Sequence, residues 1–309
     1  MIETAQYGDL KWLHISDPGE EDYRMLLETY KFHPLDIEDC QGTNQRPKID
    51  EYDDYYFLIL HFPYFDKGNK FVRIKEVKIF WGRNYIITIG KSHWVVKKVF
   101  DSIREGLDKN DEQIISYMKT SDILLYRILD QLLSETNTLI TRIGAEVDLI
   151  NYDIFSKKSQ PIIELISITR RNIILLNTTF KPQLRLFQKF ESGGVKGFSA
   201  DSEDMEDYWG DILDQYQKMF DLVEDYGELI EGLSKTFDSL LANRTNETMK
   251  VLTYFSTIML PLTVITGMYG MNVTLPFGNL SNAFWFIVLI MILVTLALLY
   301  FFRRRNNKF

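Results

Sequence analysis

The chain has 309 residues, with 35 Lys and Arg against 43 Asp and Glu, a net charge of −8, and 46% hydrophobic residues. The acidic balance argues against nucleic acid as a partner. The single cysteine, Cys40, excludes an internal disulfide framework and fits a reducing compartment.

The charge is uneven. From Lys250 onward there are five bases and no acid, which leaves −13 on residues 1–249 once those five charges are taken from the net −8. Such a charge suits a domain that attracts cations and suits ordinary solubility equally well. Met1 to Leu10 is polar and mixed, unlike a secretory leader.

Residues 1–100 read as mixed α/β. Leu10 to Ser16 has the pattern of a strand, and Asp17-Pro18-Gly19 is a start signal for a helix over Glu20 to Tyr30. Tyr55 to Phe62, Arg73 to Trp81 and Tyr85 to Ile89 are rich in aromatic and β-branched residues, as strands are. Asp66 to Asn69 and Gly82 to Asn84 supply turns between them. Residues 93–112 return to helical periodicity.

Ser121 to Phe155 carries Leu125, Ile128, Leu129, Leu132, Leu139, Ile143, Val147 and Ile150 at helical spacing. Pro161 suits the first position of a new helix running to about Glu191, which Pro182 is expected to kink or break. After a loop over Ser192 to Ser202, the pattern predicts one helix from about Glu203 to Gly270, about 100 Å long at 1.5 Å per residue. A helix of that length needs antiparallel partners or copies of itself.

Residues 251–302 contain no Asp, Glu, Lys or Arg. Two apolar runs, Val251 to Met268 and Ala283 to Phe302, each suit a crossing of a hydrocarbon core roughly 30 Å thick. A loop over 273–282 joins them. Lys250 precedes the first run, and Arg303, Arg304, Arg305 and Lys308 follow the second. Positive flanks place both termini in the cytoplasm and the loop outside.

Two spans cannot enclose a water-filled path, so a pore requires several copies. The second run is almost purely apolar and suits lipid. On the first, Thr253, Ser256, Leu260, Thr263, Gly267 and Gly270 share one helical face. That stripe suits either an aqueous pore lining or close packing through small residues.

The first run ends in Tyr269-Gly270-Met271-Asn272, and no other Gly-Met-Asn occurs in the chain. This tripeptide closing the first of two C-terminal spans closely resembles the CorA family of divalent-cation channels and transporters. A second patch resembles the N-terminal signature of the same family: His33-Pro34-Leu35, Glu38-Asp39 and Gln45-Arg46-Pro47-Lys48.

The resemblance implies an α+β membrane protein and a homopentamer in lipid. It divides the chain into a cytoplasmic α/β domain (1–115), a helical stalk or funnel (116–249), a pore-lining span (250–272), an outer loop (273–282), a second span (283–302) and a basic tail (303–309). It implies passage of Mg²⁺, with Co²⁺ and Ni²⁺, across the cell membrane. Asn272 and the Gly270 carbonyl would hold the hydrated ion, since Mg²⁺ sheds water reluctantly. Leu252 and Leu260 align with apolar constrictions, and Asn246 and Thr263 with polar rings. Asp211 is implied as an intersubunit ligand for regulatory Mg²⁺, opposite an acid of the 50–54 cluster, for which Asp53-Asp54 is the choice.

The chain departs from the family where an outer-loop acid is often found; 273–282 has none. The four histidines do not pair at metal-ligand spacing, which weighs against dedicated Zn²⁺ capture. A zinc transporter of the same superfamily and a non-conducting membrane-anchored sensor stay open beside the Mg²⁺ reading. An enzyme is the weakest class: the sequence shows no nucleophile elbow, phosphate loop or paired-metal motif, and no organic cofactor is implied.

Overall fold

The computed structural model describes residues 2–90, 93–155, 159–198, 202–271 and 283–306. They fall into two compact units, Met1–Ser234 and Lys235–Phe309.

The first unit is built on a six-stranded sheet in the order β1-β2-β6-β5-β4-β3. Its strands are β1 (Ile2–Tyr7), β2 (Leu10–Ile15), β3 (Lys48–Glu51), β4 (Tyr55–Asp66), β5 (Phe71–Gly82) and β6 (Tyr85–Ile89). All neighbours are antiparallel except β2 and β6, which pair in parallel with Lys11 opposite Tyr85 and Ile15 opposite Ile89. The long hairpin β4–β5 runs from Tyr55 opposite Gly82 to Asp66 opposite Phe71. Asp66 Oδ1 accepts from the Gly68 and Asn69 amides at 3.1 and 3.4 Å, which closes its turn.

Alternate residues of the central strands serve two cores. Phe57, Ile59, Phe80, Ile87 and Ile89 pack with Leu26 of α1 (Glu20–Thr29) and with Ile37 and Cys40 of α2 (Pro34–Gln41). Their neighbours Tyr56, Leu58, Leu60, Ile79 and Trp81 are buried on the other face, where α3 (Trp94–Asp108), α5 (Ser121–Asp153) and α6 (Ser159–Glu191) lie. Burial on both faces is why β4 reads as a continuous apolar run rather than an alternating one. Helices α5 and α6 thus cover the sheet: Trp81 Nε1 donates to Ser121 Oγ at 3.2 Å, and the Trp81 ring meets Phe190 and Trp209.

Several expectations are corrected. The helix anticipated over 93–112 is two helices, α3 and α4 (Glu112–Tyr117). Asn110 takes φ +51° between them, and Asp111 caps α4 by accepting from Gln113 and Ile114. Pro182 does not break α6, which runs unbroken from Ser159 to Glu191. Phe180 stacks on Tyr216 and Gln183 is bonded to a strand edge, so the helix is anchored on both sides of the proline. Pro161 is the third residue of α6 rather than its first, still in the turn whose amides have no helical acceptor.

Two amides of α6 finish the sheet. Beyond Ile59 the free edge of β4 has no strand beside it, because β3 ends its pairing there. Gln183 takes the place of a strand: His61 N donates to its Oε1 at 2.6 Å, and its Nε2 donates to His61 O at 3.1 Å. On β5, Val72 N donates to Asn172 Oδ1 at 2.9 Å. Both amides are buried, where an unpaired strand group costs about 1–3 kcal/mol.

In the second unit, α7 (Ser202–Tyr269) continues through Pro261, and its Tyr254 ring stands 4.4 Å from the Phe302 ring of α8 (Ala283–Asn306).

Candidate ion pathway and its acidic helix

Three threonines of the apolar part of α7, two of them on the stripe read from the sequence, bond back into their own helix. Thr253 Oγ1 donates to Met249 O at 2.7 Å, Thr263 Oγ1 to Met259 O at 2.8 Å, and Thr266 Oγ1 to Leu262 O at 3.0 Å. Each hydroxyl proton is therefore spent inside the helix, and the oxygen is left as an acceptor. Pro261 has no N–H, so the Thr257 carbonyl lacks its usual helical donor. On the stripe, Thr253 and Thr263 thus present acceptors, the polarity suited to the hydrogens of a cation's water shell.

Leu252 and Leu260, on the same helix, are 60% and 68% exposed. Nothing within 4 Å would meet a Cβ at Gly267, whereas one at Gly270 would stand 3.1 Å from the Thr266 carbonyl. Gly270 N donates to Thr266 O at 2.9 Å and Met271 N to Met268 O at 3.3 Å, so the helix unwinds at Tyr269-Gly270-Met271. Asn272 and the loop 273–282 lie outside the described residues. Asn246 is exposed on α7.

In the first unit, α7 has two opposite faces. Trp209, Ile212, Tyr216, Met219, Val223 and Ile230 are buried. Asp207, Asp211, Asp214, Lys218, Asp221, Asp225 and Glu228 recur at steps of four and three and are all exposed. Six acids and one base thus form a single exposed stripe on α7.

Asp211 on that stripe has two donors on one oxygen. Tyr126 Oη donates to its Oδ2 at 3.0 Å and Gln215 Nε2 to the same atom at 2.8 Å. Burial, then the bond to and charge of Asp211, push the Tyr126 phenol up. The Tyr126 ring meets Tyr208 edge-on at 4.8 Å. The Asp211–Gln215 spacing could have been read as an i,i+4 pair; Tyr126, 85 positions away, gave no sequence signal.

Asp53 and Asp54 are exposed in the bend before β4. Both border an open cavity of about 440 Å³ with Thr29, Arg83 and Tyr85, and Asp53 also borders one of about 550 Å³ with Arg83 and Lys196. Among the described residues no bond joins either to Asp211, and no three His, Cys, Asp or Glu gather as a metal-holding group.

Two helices are long and apolar enough to cross a membrane, α7 with mean hydropathy 1.6 and α8 with 2.8 over their most apolar windows, and neither window is buried in the chain. With a sheet-based domain ahead of them, they define a membrane protein with two C-terminal spans.

The model of the CorA-like Mg²⁺ transporter protein family matches residues 7–304, and the chain belongs to that family. It is 28% identical over 262 residues to the cobalt/magnesium transport protein CorA of Thermotoga maritima, covering 84% of this chain and 72% of that one. It is 23% identical over 310 residues to the protein of the same name from Methanocaldococcus jannaschii, covering 98% and 93%. The complete structure of the CorA magnesium transporter from Methanocaldococcus jannaschii superposes with a TM-score of 0.79 at 20% identity, covering 97% and 92%, which shows the fold. A zinc transport protein ZntB of Yersinia pseudotuberculosis stands further off, at 21% identity over 298 residues, covering 93% and 84%.

Proposed function

We propose that this chain forms a divalent-cation channel that takes Mg²⁺, with Co²⁺ and Ni²⁺, into the cell. The observation that carries the reading is the α7 stripe, whose threonines donate inward and leave acceptors outward, in a chain matched to the family from residue 7 to 304. Copies of α7 would line the path, and the homopentamer comes from the family resemblance.

In this reading Leu252 and Leu260 form dewetting collars, Asn246, Ser256, Thr263 and Gly267 line the pore, and Tyr269-Gly270-Met271-Asn272 is the outer filter. The functional division follows at 1–115, 116–249, 250–272, 273–282, 283–302 and 303–309. Lys250 and the Arg303–Arg304 pair support cytoplasmic flanks at the cell membrane. The membrane potential supplies the drive, roughly 4.6 kcal/mol per 100 mV for a divalent ion.

Regulatory Mg²⁺ would sit between subunits, with Asp211 on one and Asp53 or Asp54 on the other. The donor set fits as part of a site: an exposed carboxylate with one oxygen engaged and one open needs ligands from elsewhere. High internal Mg²⁺ would relieve repulsion between the acidic stripes and close the path.

The test is Mg²⁺ entry into proteoliposomes under an inside-negative potential, wild type against Asn272→Ala. Flux lost in the variant is expected. Wild-type protein that passes Zn²⁺ but not Mg²⁺ would favour the zinc reading, and no flux of any divalent ion would favour a non-conducting sensor.

A further inference from the structure

Resting on the reading of Asp211 as a ligand, we infer that Tyr126 and Gln215 are positioning residues that make Asp211 a one-oxygen ligand and so tune the regulatory site to Mg²⁺ over Ca²⁺. Asp211 Oδ2 accepts two hydrogen bonds, from Tyr126 Oη at 3.0 Å and Gln215 Nε2 at 2.8 Å. Two donors use both lone pairs of that oxygen. Oδ1 takes no bond among the described residues, and the carboxylate is exposed.

The fixture joins two helices. Gln215 lies one turn along α7, and the Tyr126 ring is set edge-on against Tyr208. Tyr126 comes from α5, so the carboxylate is tied between two helices and cannot rotate to offer both oxygens without losing both donors.

Denticity distinguishes the two ions. Mg²⁺ demands near-octahedral geometry, keeps several waters and is satisfied by single carboxylate oxygens. Ca²⁺ takes six to eight oxygens and gains from carboxylates that bind through both. A carboxylate with one oxygen already saturated withholds that second contact.

The experiment uses purified full-length protein and measures protection from limited proteolysis as MgCl₂ or CaCl₂ is titrated. The variants are Tyr126→Phe/Gln215→Leu, which retains the ring on Tyr208, and Asp211→Asn. In the double variant the ratio of Ca²⁺ to Mg²⁺ midpoints is expected to fall by about tenfold, the equivalent of one charge-assisted hydrogen bond. Asp211→Asn is expected to lose protection by both ions. An unchanged ratio in the double variant, with Asp211→Asn still losing protection, overturns the inference alone. Asp211→Asn that is still protected overturns the regulatory reading and this inference with it. A purely structural loss in the double variant would move both midpoints together, leave the ratio unchanged and also overturn it.

Discussion

The two units of the chain bury their apolar residues in opposite ways. In Met1–Ser234, tryptophan, phenylalanine and isoleucine side chains are sealed between a sheet and its helices, Trp12, Trp81, Phe57 and Phe80 among them at 0% exposure. In the second unit Leu252, Phe255, Leu260, Leu293 and Leu296 are all exposed. One unit makes its own interior. The other is apolar towards its surroundings, which must be lipid or further copies of itself. Equal exposure therefore has different energetic meaning in the two.

The strongest way to break that contrast is in the sheet. Trp81→Ala removes a ring packed against Phe190 and Trp209 and leaves Ser121 without its donor. It is expected to cost about 3–5 kcal/mol, read by thermal unfolding of the full-length protein. A shift of under a degree would show that this face is not a packed core.

A matched pair sharpens the contrast. Leu229 and Leu293 have nearly equal exposure, 54% and 57%, one in each unit. Leu293→Arg is expected to cost about 2.5–3.5 kcal/mol of membrane insertion, because it lies near the middle of α8. Leu229→Arg should change stability by no more than about 0.5 kcal/mol, as at an ordinary water-facing site. Equal effects on membrane-inserted yield would erase the distinction.

Acid separates the units as well. His93 is buried at the start of α3, where its Nδ1 accepts from Val95 N and Nε2–H donates to Pro63 O. Burial chiefly lowers its pKa to about 4, and it also lowers those of His14 and His61. Between pH 6.5 and 4 the unfolded chain binds a proton that folded His93 refuses, so its contribution is complete above pH 6.5 and is lost as pH falls towards 4. About 2–3 kcal/mol should disappear over that window. His93→Gln should flatten the pH dependence of the first unit's melting; an equally steep profile would assign the loss to other groups.

Two glycines separate the units in a further way. A Cβ at Gly144 would stand 2.3 Å from Tyr226 Oη, so Gly144→Ala should destabilise the first unit by about 1–3 kcal/mol in a chemical-denaturation curve. Nothing crowds Gly267 within the chain. Gly267→Ala is expected to leave the fold intact and to raise the monomer fraction on native electrophoresis; an unchanged oligomer would remove this face from the list of packing surfaces.

Much of the design was legible in residue order. Apolar periodicity set α5, the Asp17-Pro18-Gly19 start signal α1, Pro161 the start of α6 and the lack of turn clusters α7, each within a few residues, because all of these are local signals. The two apolar runs and the Gly-Met-Asn that closes the first pointed to the family before any contact was seen. β1, β3 and α2 were missed. The four residues of β3 are half-exposed and carry two acids, and α2 has a weak apolar face, so neither advertises itself.

What residue order determined, then, were the features carried by local pattern: helix lengths, the charge-free spans and the small, polar stripe of α7. Tertiary structure decided what depends on groups distant in the chain. It set Gln183 and Asn172 against open strand edges 122 and 100 residues away. It brought Tyr126 to Asp211 across 85 residues. It carried α6 through Pro182, because the contacts around the proline outweigh one lost hydrogen bond. For the first two the physical reason is common: a buried or shared polar group takes whichever partner the packing of the helices brings within about 3 Å, and no local periodicity encodes that choice.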